Sequence, residues 1–107
     1  MHVIFESQFE AEVIGLLHRE VAVPDYVRLD GLVGARAVKR EGRKAYRADD
    51  RNSMAIIVCA DDVAGQLMAG VEALCERVEH GVCAYVTDVE RVVSGDGGSR
   101  AGPDARA

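Results

Sequence analysis

Residues 55–60, AIIVCA, lie within the longest unbroken apolar run in the chain, which starts at Met54. Its brevity excludes a membrane-spanning helix, which needs about 20 consecutive apolar residues. Taken with the residues just before it, the segment 52–60 (NSMAIIVCA) is rich in β-branched side chains and apolar on both faces. That is the pattern of a central strand covered on two sides. A chain containing such a strand must supply neighbours for its edges and cover for its faces.

The neighbours are legible on both sides. Residues 2–5 form a short apolar run, and Ser7-Gln8-Phe9-Glu10 follows as a capping box, in which the hydroxyl and the Glu side chain satisfy orphan amides reciprocally. A helix is predicted from Ser7, with Phe9, Val13, Leu16 and Leu17 on its buried stripe and Glu10, Glu12, Arg19 and Glu20 elsewhere. Pro24 limits its length. Between Pro24 and Gly34, Val27 and Leu29 alternate with Tyr26, Arg28 and Asp30, which predicts a strand with one covered face. After the central strand, Asp61 or Asp62 caps a second helix whose stripe is Val63, Leu67, Val71, Leu74 and Val78, with Gly81 as its C-terminal glycine. Residues 82–89 (VCAYVTDV) read as a last strand.

This order predicts an α+β fold, the ferredoxin-like βαββαβ sandwich, with a four-stranded antiparallel sheet and two helices on one of its faces. It fills residues 1–93 as a single domain, as a length of 107 residues allows. Residues 94–107 (SGDGGSRAGPDARA) contain four glycines and no large apolar group, and are predicted to be a disordered tail. Only five aromatic residues, none of them Trp, are present to fill a core. Cover of the helix-free sheet face by partner copies is therefore expected.

Charge is segregated. Residues 36–51 hold seven basic side chains (Arg36, Lys39, Arg40, Arg43, Lys44, Arg47, Arg51) and three acidic ones (Glu41, Asp49, Asp50), a local +4, whereas the whole chain carries −5. With Gly42 inside it and no apolar period, 35–51 is predicted to be a long mobile basic loop that meets an anion or an acidic partner. Gly31 and Gly34 at its start let backbone approach a phosphate, although paired glycines also mark a bulge or turn. No Ser-His-Asp arrangement, nucleophile elbow, zincin motif or phosphate loop is present, so no enzymatic chemistry is expected. Cys75, His80 and Cys83 offer soft ligands for zinc or copper around the end of the second helix, but at no established metal-site spacing. His2 and His18 have no local partner and read as surface histidines. The third cysteine, Cys59, leaves an odd total without a Cys-x-x-Cys, as reduced thiols in a cytoplasmic setting would. An acidic start (Glu6, Glu10, Glu12) unlike a signal peptide points the same way. The segment beginning at Asn52 carries no aromatic on which a base could stack, so nucleic acid is not an expected partner.

Residues 85–93, Tyr-Val-Thr-Asp-Val-Glu-Arg-Val-Val, resemble the last core strand of the nitrogen regulatory P-II proteins, which reads aromatic-Val-x-Asp-Val-Glu-Arg-Val-Ile. The apolar strand followed by Asp61-Asp62-Val63 is similar to the P-II strand that ends in an acidic pair, and Ala45-Tyr46-Arg47 resembles the Tyr-Arg pair of the P-II T-loop. The P-II phosphate loop before the last strand is not matched: residues 76–82 (ERVEHGV) are shorter and keep only Gly81. The chain thus looks more like the divergent PII-like proteins. That resemblance implies a homotrimer, no obligatory cofactor, and a cleft between subunits for an adenine nucleotide or a bicarbonate-like anion. It also implies a T-loop that grips a target protein such as a membrane transporter or metabolic enzyme. The ligand-binding set is then Gly34, Arg36, Arg40, Arg43, Lys44, Tyr46, Arg47, Asn52 and Gly81. The alternatives are a trimeric metal-tolerance protein of the CutA kind, using Cys75, His80 and Cys83, and a small enzyme on the same fold that would rely on Tyr46, His80 or an arginine.

Overall fold

A computed structural model describes residues 1–95, apart from the side chains of residues 49 and 50. Beyond Ser94 and Gly95, the predicted tail lies outside the described residues. The elements are β1 (His2–Glu6), α1 (Glu10–Gly15), β2 (Val27–Arg40), β3 (Arg43–Ile56), α2 (Asp61–Cys75) and β4 (Val82–Tyr85). The chain is α+β, its antiparallel strands ordered β2-β3-β1-β4, an arrangement compatible with the expected sandwich. One feature departs from a flat four-stranded sheet. The β2–β3 register slips between Leu29 and Leu32 and again between Leu32 and Gly34. With the halves of β2 counted apart, the curled sheet has five antiparallel segments. Irregular pairing at such positions bends a strand and increases its twist.

One sheet face is dry. Val3 and Phe5 of β1 and Ala55 of β3, with Ile57 just beyond it, are buried beneath Val13, Leu16 and Leu17 from the first helical segment and Leu67, Val71 and Leu74 from α2. These six helical residues belong to the stripes the spacing predicts, whereas Phe9 lies in the turn before α1, Val63 is half-buried and Val78 lies beyond the end of α2. The helices touch closely at Gly70, where an added Cβ would collide with Leu16 Cδ1. The opposite face carries Ile4, Met54 and Ile56 half-buried, Val27 and Leu29 exposed, and His2 stacked on Tyr85 with ring centroids 4.8 Å apart. Val27 and Leu29 were expected on the covered side. Their alternation is right and its phase is inverted, because Arg28 takes the helix side, donating to Glu10 Oε1 (2.7 Å) and lying 5.7 Å from the centre of the Phe5 ring.

The ends of the helices differ from expectation for local reasons. Helical structure does begin at Ser7, as a 3₁₀ turn (Ser7–Phe9), but the capping box is not made. Arg28 engages the Glu10 carboxylate, and Gln8 turns back to Glu6. After Gly15 the helix widens into a π turn, Leu16–Glu20. At the start of α2 the capping residue is Ala60, without a side-chain bond. Asp61 and Asp62 lie in the first turn, where their charge complements the helix dipole. Gly81 does not cap α2, which ends at Cys75. It has φ +104° and leads into β4, and a Cβ there would stand 2.6 Å from Phe9 Cε2. β4 ends at Tyr85, short of the predicted 82–89. The two histidines differ: His18 is a surface residue as expected but has a partner, its Nε2 2.8 Å from the Tyr26 hydroxyl, whereas His2 is half-buried.

The largest correction concerns 35–51. No loop exists there: β2 runs out to Arg40 and β3 returns from Arg43 as a two-stranded ribbon. Glu41 (φ +54°) and Gly42 (φ +75°) form the two-residue connection, the left-handed pair that matches the twist of a hairpin. The ribbon leaves the body of the sandwich, so neither of its faces packs on the core and no apolar period is required. The molecule is accordingly elongated, 57 × 25 × 21 Å.

Candidate functional site

Strand geometry sorts the basic residues of the ribbon. Residues two apart share a face and cross-strand partners lie side by side. The pairs Arg36↔Arg47, Val38↔Ala45 and Arg40↔Arg43 therefore occupy one face, and Ala35↔Ala48, Ala37↔Tyr46 and Lys39↔Lys44 the other. The four arginines stand together while the lysines share the opposite face with Tyr46, which is 70% exposed. Like charges directly opposite one another are unfavourable, and among the described residues no carboxylate pairs with Arg40, Arg43, Lys44 or Arg47.

At the root of the ribbon, part of the predicted set converges. Arg36 borders three adjoining hollows. The largest, about 490 Å³, is lined by Glu6, Gln8, Arg36, Val38, Arg47 and His80. A second, about 410 Å³, runs along the helix-free face past Ile4, Gly34, Asn52 and Met54. A third, about 180 Å³, reaches Asn52, Gly81 and Cys83. Gly34, Arg36, Arg47, Asn52 and Gly81 thus share one neighbourhood. Arg40, Arg43 and Lys44 do not, because the register carries them to the far end of the ribbon, and Tyr46 lies on the other face.

Glu6 is the hub of this neighbourhood and was not expected. Its side chain is only 13% exposed; Oε2 accepts from Arg36 Nη2 (3.1 Å) and lies 4.0 Å from His80 Nδ1, while Oε1 accepts from Gln8 Nε2 (2.7 Å). A carboxylate withdrawn from water needs such donors. Its own backbone N–H donates to Gly81 O (2.8 Å). A Cβ at Gly81 would lie 3.0 Å from Glu6 Cδ, so the glycine keeps the space that the carboxylate occupies. His80 enters the site through this contact. Its sequence signal was read as soft metal chemistry, whereas nothing in the order of residues marks the end of β1 as facing the basic segment.

The soft-ligand set does not assemble. Cys75 and Cys83 are exposed, Cys75 Sγ lies 3.7 Å from Val82 O, and among the described residues no group of three or more His, Cys, Asp or Glu side chains is placed to hold a metal ion. Cys59 is half-buried, and burial pushes its thiol up from the ordinary value, which keeps it protonated and a poor nucleophile. Among the described residues, no helix is long and apolar enough to cross a membrane.

A second polar network lies on the helix side, at the seam between body and ribbon. Asp30 Oδ1 accepts from Ser53 Oγ and from Arg28 Nε, both at 2.6 Å, and Arg28 reaches on to Glu10. The Ser53 and Arg28 hydrogen bonds hold the Asp30 carboxyl below its usual range. All four residues are engaged with one another, so this network ties β2 and β3 to the first helix. No family model, curated protein or solved structure matches this chain.

Proposed function

We propose that the protein is a non-enzymatic regulator of the PII-like kind, on a ferredoxin-like βαββαβ framework. In this reading it binds a small anionic effector, an adenine nucleotide or a bicarbonate-like anion, at the root of the ribbon. The ribbon, in the place of a T-loop, then presents its outer arginines to a target protein such as a transporter or metabolic enzyme. The observation that carries the reading is the position of Arg36: it sits where ribbon meets body, beside Arg47 and next to Gly34, Asn52 and Gly81. An anion there touches both the rigid sheet and the base of a 57 Å molecule's projecting arm, so occupancy can bias the direction of the arm. Support for the trimer is the helix-free face, where Ile4, Met54 and Ile56 are half-covered and Val27 and Leu29 open. Apolar surface of this kind is commonly an interface.

Calorimetric titration with ATP, ADP and bicarbonate tests the reading. Arg36→Ala and Arg47→Ala should each weaken the ligand that binds by tenfold or more, the loss of a charge-assisted contact of about 1.5 to 3 kcal/mol. Arg40→Ala should leave effector affinity unchanged and weaken target capture. A monomer mass by light scattering at micromolar concentration removes the intersubunit cleft, and equal affinities for wild type and Arg36→Ala remove the site.

A further inference from the structure

The proposed anion site already contains an anion. Glu6 belongs to β1, yet its carboxylate lies across the mouth of the ribbon and uses both oxygens: Oε2 on the Arg36 guanidinium at 3.1 Å and Oε1 on the Gln8 carboxamide at 2.7 Å. Two donors from different elements, one on each oxygen, define a seat for a planar, singly charged oxyanion. Arg47 faces the same hollow from the position opposite Arg36, and His80 Nδ1 stands 4.0 Å from Glu6 Oε2. The hollow beside the seat, about 490 Å³, leaves room for a carboxylate with a short substituent.

We infer that Glu6 is an internal competitor, and that the ligand class this site takes is a carboxylate, which binds by displacing Glu6 from Arg36 and Gln8. The inference rests on the anion-binding reading, adds to it an opposing group, and narrows its ligand to a planar carboxylate in place of a nucleotide phosphate. The geometry favours a carboxylate over phosphate because the seat is one guanidinium and one neutral amide arranged for a planar group. A tetrahedral dianion brings a second charge and a third oxygen out of that plane. Arg36 is 45% exposed on the side chain, so its pair with Glu6 is open to exchange. Displacement also has a structural consequence: Glu6 ties the ribbon base to β1 through Arg36, and a free ligand on Arg36 cuts that tie. Binding then removes this one side-chain tie, while the backbone ladder and the Asp30 network still hold the ribbon base.

Amide chemical-shift titration of the full chain with sodium acetate and, separately, inorganic phosphate provides the test, on wild type, Glu6→Ala, Glu6→Gln and Glu6→Ala/Arg36→Ala. Glu6→Ala empties the seat and Glu6→Gln keeps its volume without its charge, so a folding defect in one is covered by the other. The expected result is acetate binding at least tenfold tighter in the Glu6 variants than in wild type, shifts centred on residues 36, 47 and 80, and loss of the gain in the double variant. Wild-type affinity in folded Glu6 variants, with binding that still depends on Arg36, overturns the competitor and leaves the anion site standing. A gain for phosphate equal to or larger than that for acetate overturns the ligand class. Absence of any titration in every protein overturns both.

Discussion

In the body of the molecule, alternate strand residues are covered by helices: Val3, Phe5 and Ala55 are buried while Ile4, Met54 and Ile56 face outward. In the ribbon the same alternation carries charge, with Arg36, Arg40, Arg43 and Arg47 on one face and Lys39 and Lys44 on the other. Both regions are held by one antiparallel ladder, but side-chain burial stabilises only the first. The comparison shows that a strand can persist without an apolar face when a two-residue turn fixes its register, although its stability then rests on backbone pairing and on the body it grows from.

Core truncation tests this division most severely. Phe5→Ala removes a fully buried ring from beneath both helices and should cost about 3 to 5 kcal/mol, read by chemical denaturation as a lower midpoint. The ribbon amides should be unprotected wherever the body is unfolded, because the ribbon has no core of its own, although the ribbon can also open while the body stays folded. Ribbon amides that stay protected while the body unfolds would show that the ribbon is an independent unit.

Overpacking at the helix contact should have a smaller effect. Gly70→Ala places a methyl against Leu16, at the edge of the π turn. A cost of about 1 to 3 kcal/mol is expected, with ribbon chemical shifts unchanged. A neutral result in thermal denaturation would show that the π turn relaxes to make room.

The same division explains what could be read from the sequence. The stripes Val13, Leu16, Leu17 and Leu67, Val71, Leu74 were legible because burial imposes a period. The ribbon was not, because its strands bury nothing and its turn is Glu41-Gly42 rather than the Asn-Gly or Asp-Gly that marks a hairpin. At the candidate site, Gly34, Arg36 and Arg47 were named through charge and glycine placement, and Asn52 and Gly81 through the family resemblance. Glu6 and Gln8 were not, since their proximity to Arg36 follows from a sheet order that sets β1 beside β3, and sequence distance says nothing of that. Cys75 and Cys83 failed as a metal pair for the complementary reason: nearness in sequence did not bring their thiols and His80 into a ligand cluster.

The far end of the ribbon should respond less still, and in the opposite direction. Arg40 stands opposite Arg43 with no carboxylate between them among the described residues. Arg40→Glu turns this repulsive pair into an attractive one and should stabilise the hairpin by about 0.2 to 1 kcal/mol. The gain should shrink in high salt, as screening lengths fall below about 10 Å. Slower exchange of residues 38–45 with an unchanged global midpoint is the expected signature. A stabilising effect on the whole molecule would mean that ribbon and body melt as one cooperative unit.

The seam gives the smallest effect and the one with a definite pH sign. Asp30 is held below its usual carboxyl range, chiefly by the Ser53 hydroxyl and then by Arg28. Above the unfolded value, about 3.9, the carboxyl is ionised in both states and its favourable bonds count in full. As pH falls, the unfolded chain takes up the proton first, the advantage shrinks, and it is gone once the folded carboxyl is protonated as well. Its side chain is largely exposed, so solvent screening keeps the contribution small. Asp30→Asn keeps the side-chain oxygen that accepts from Ser53 and Arg28 but removes the titration. Melting temperatures measured between pH 6 and pH 3 should therefore fall more steeply for wild type than for Asp30→Asn, the two curves converging at the acid end. Parallel curves would show that the Ser53 and Arg28 bonds do not favour the ionised form, and that body and ribbon are joined at the seam by the backbone ladder alone.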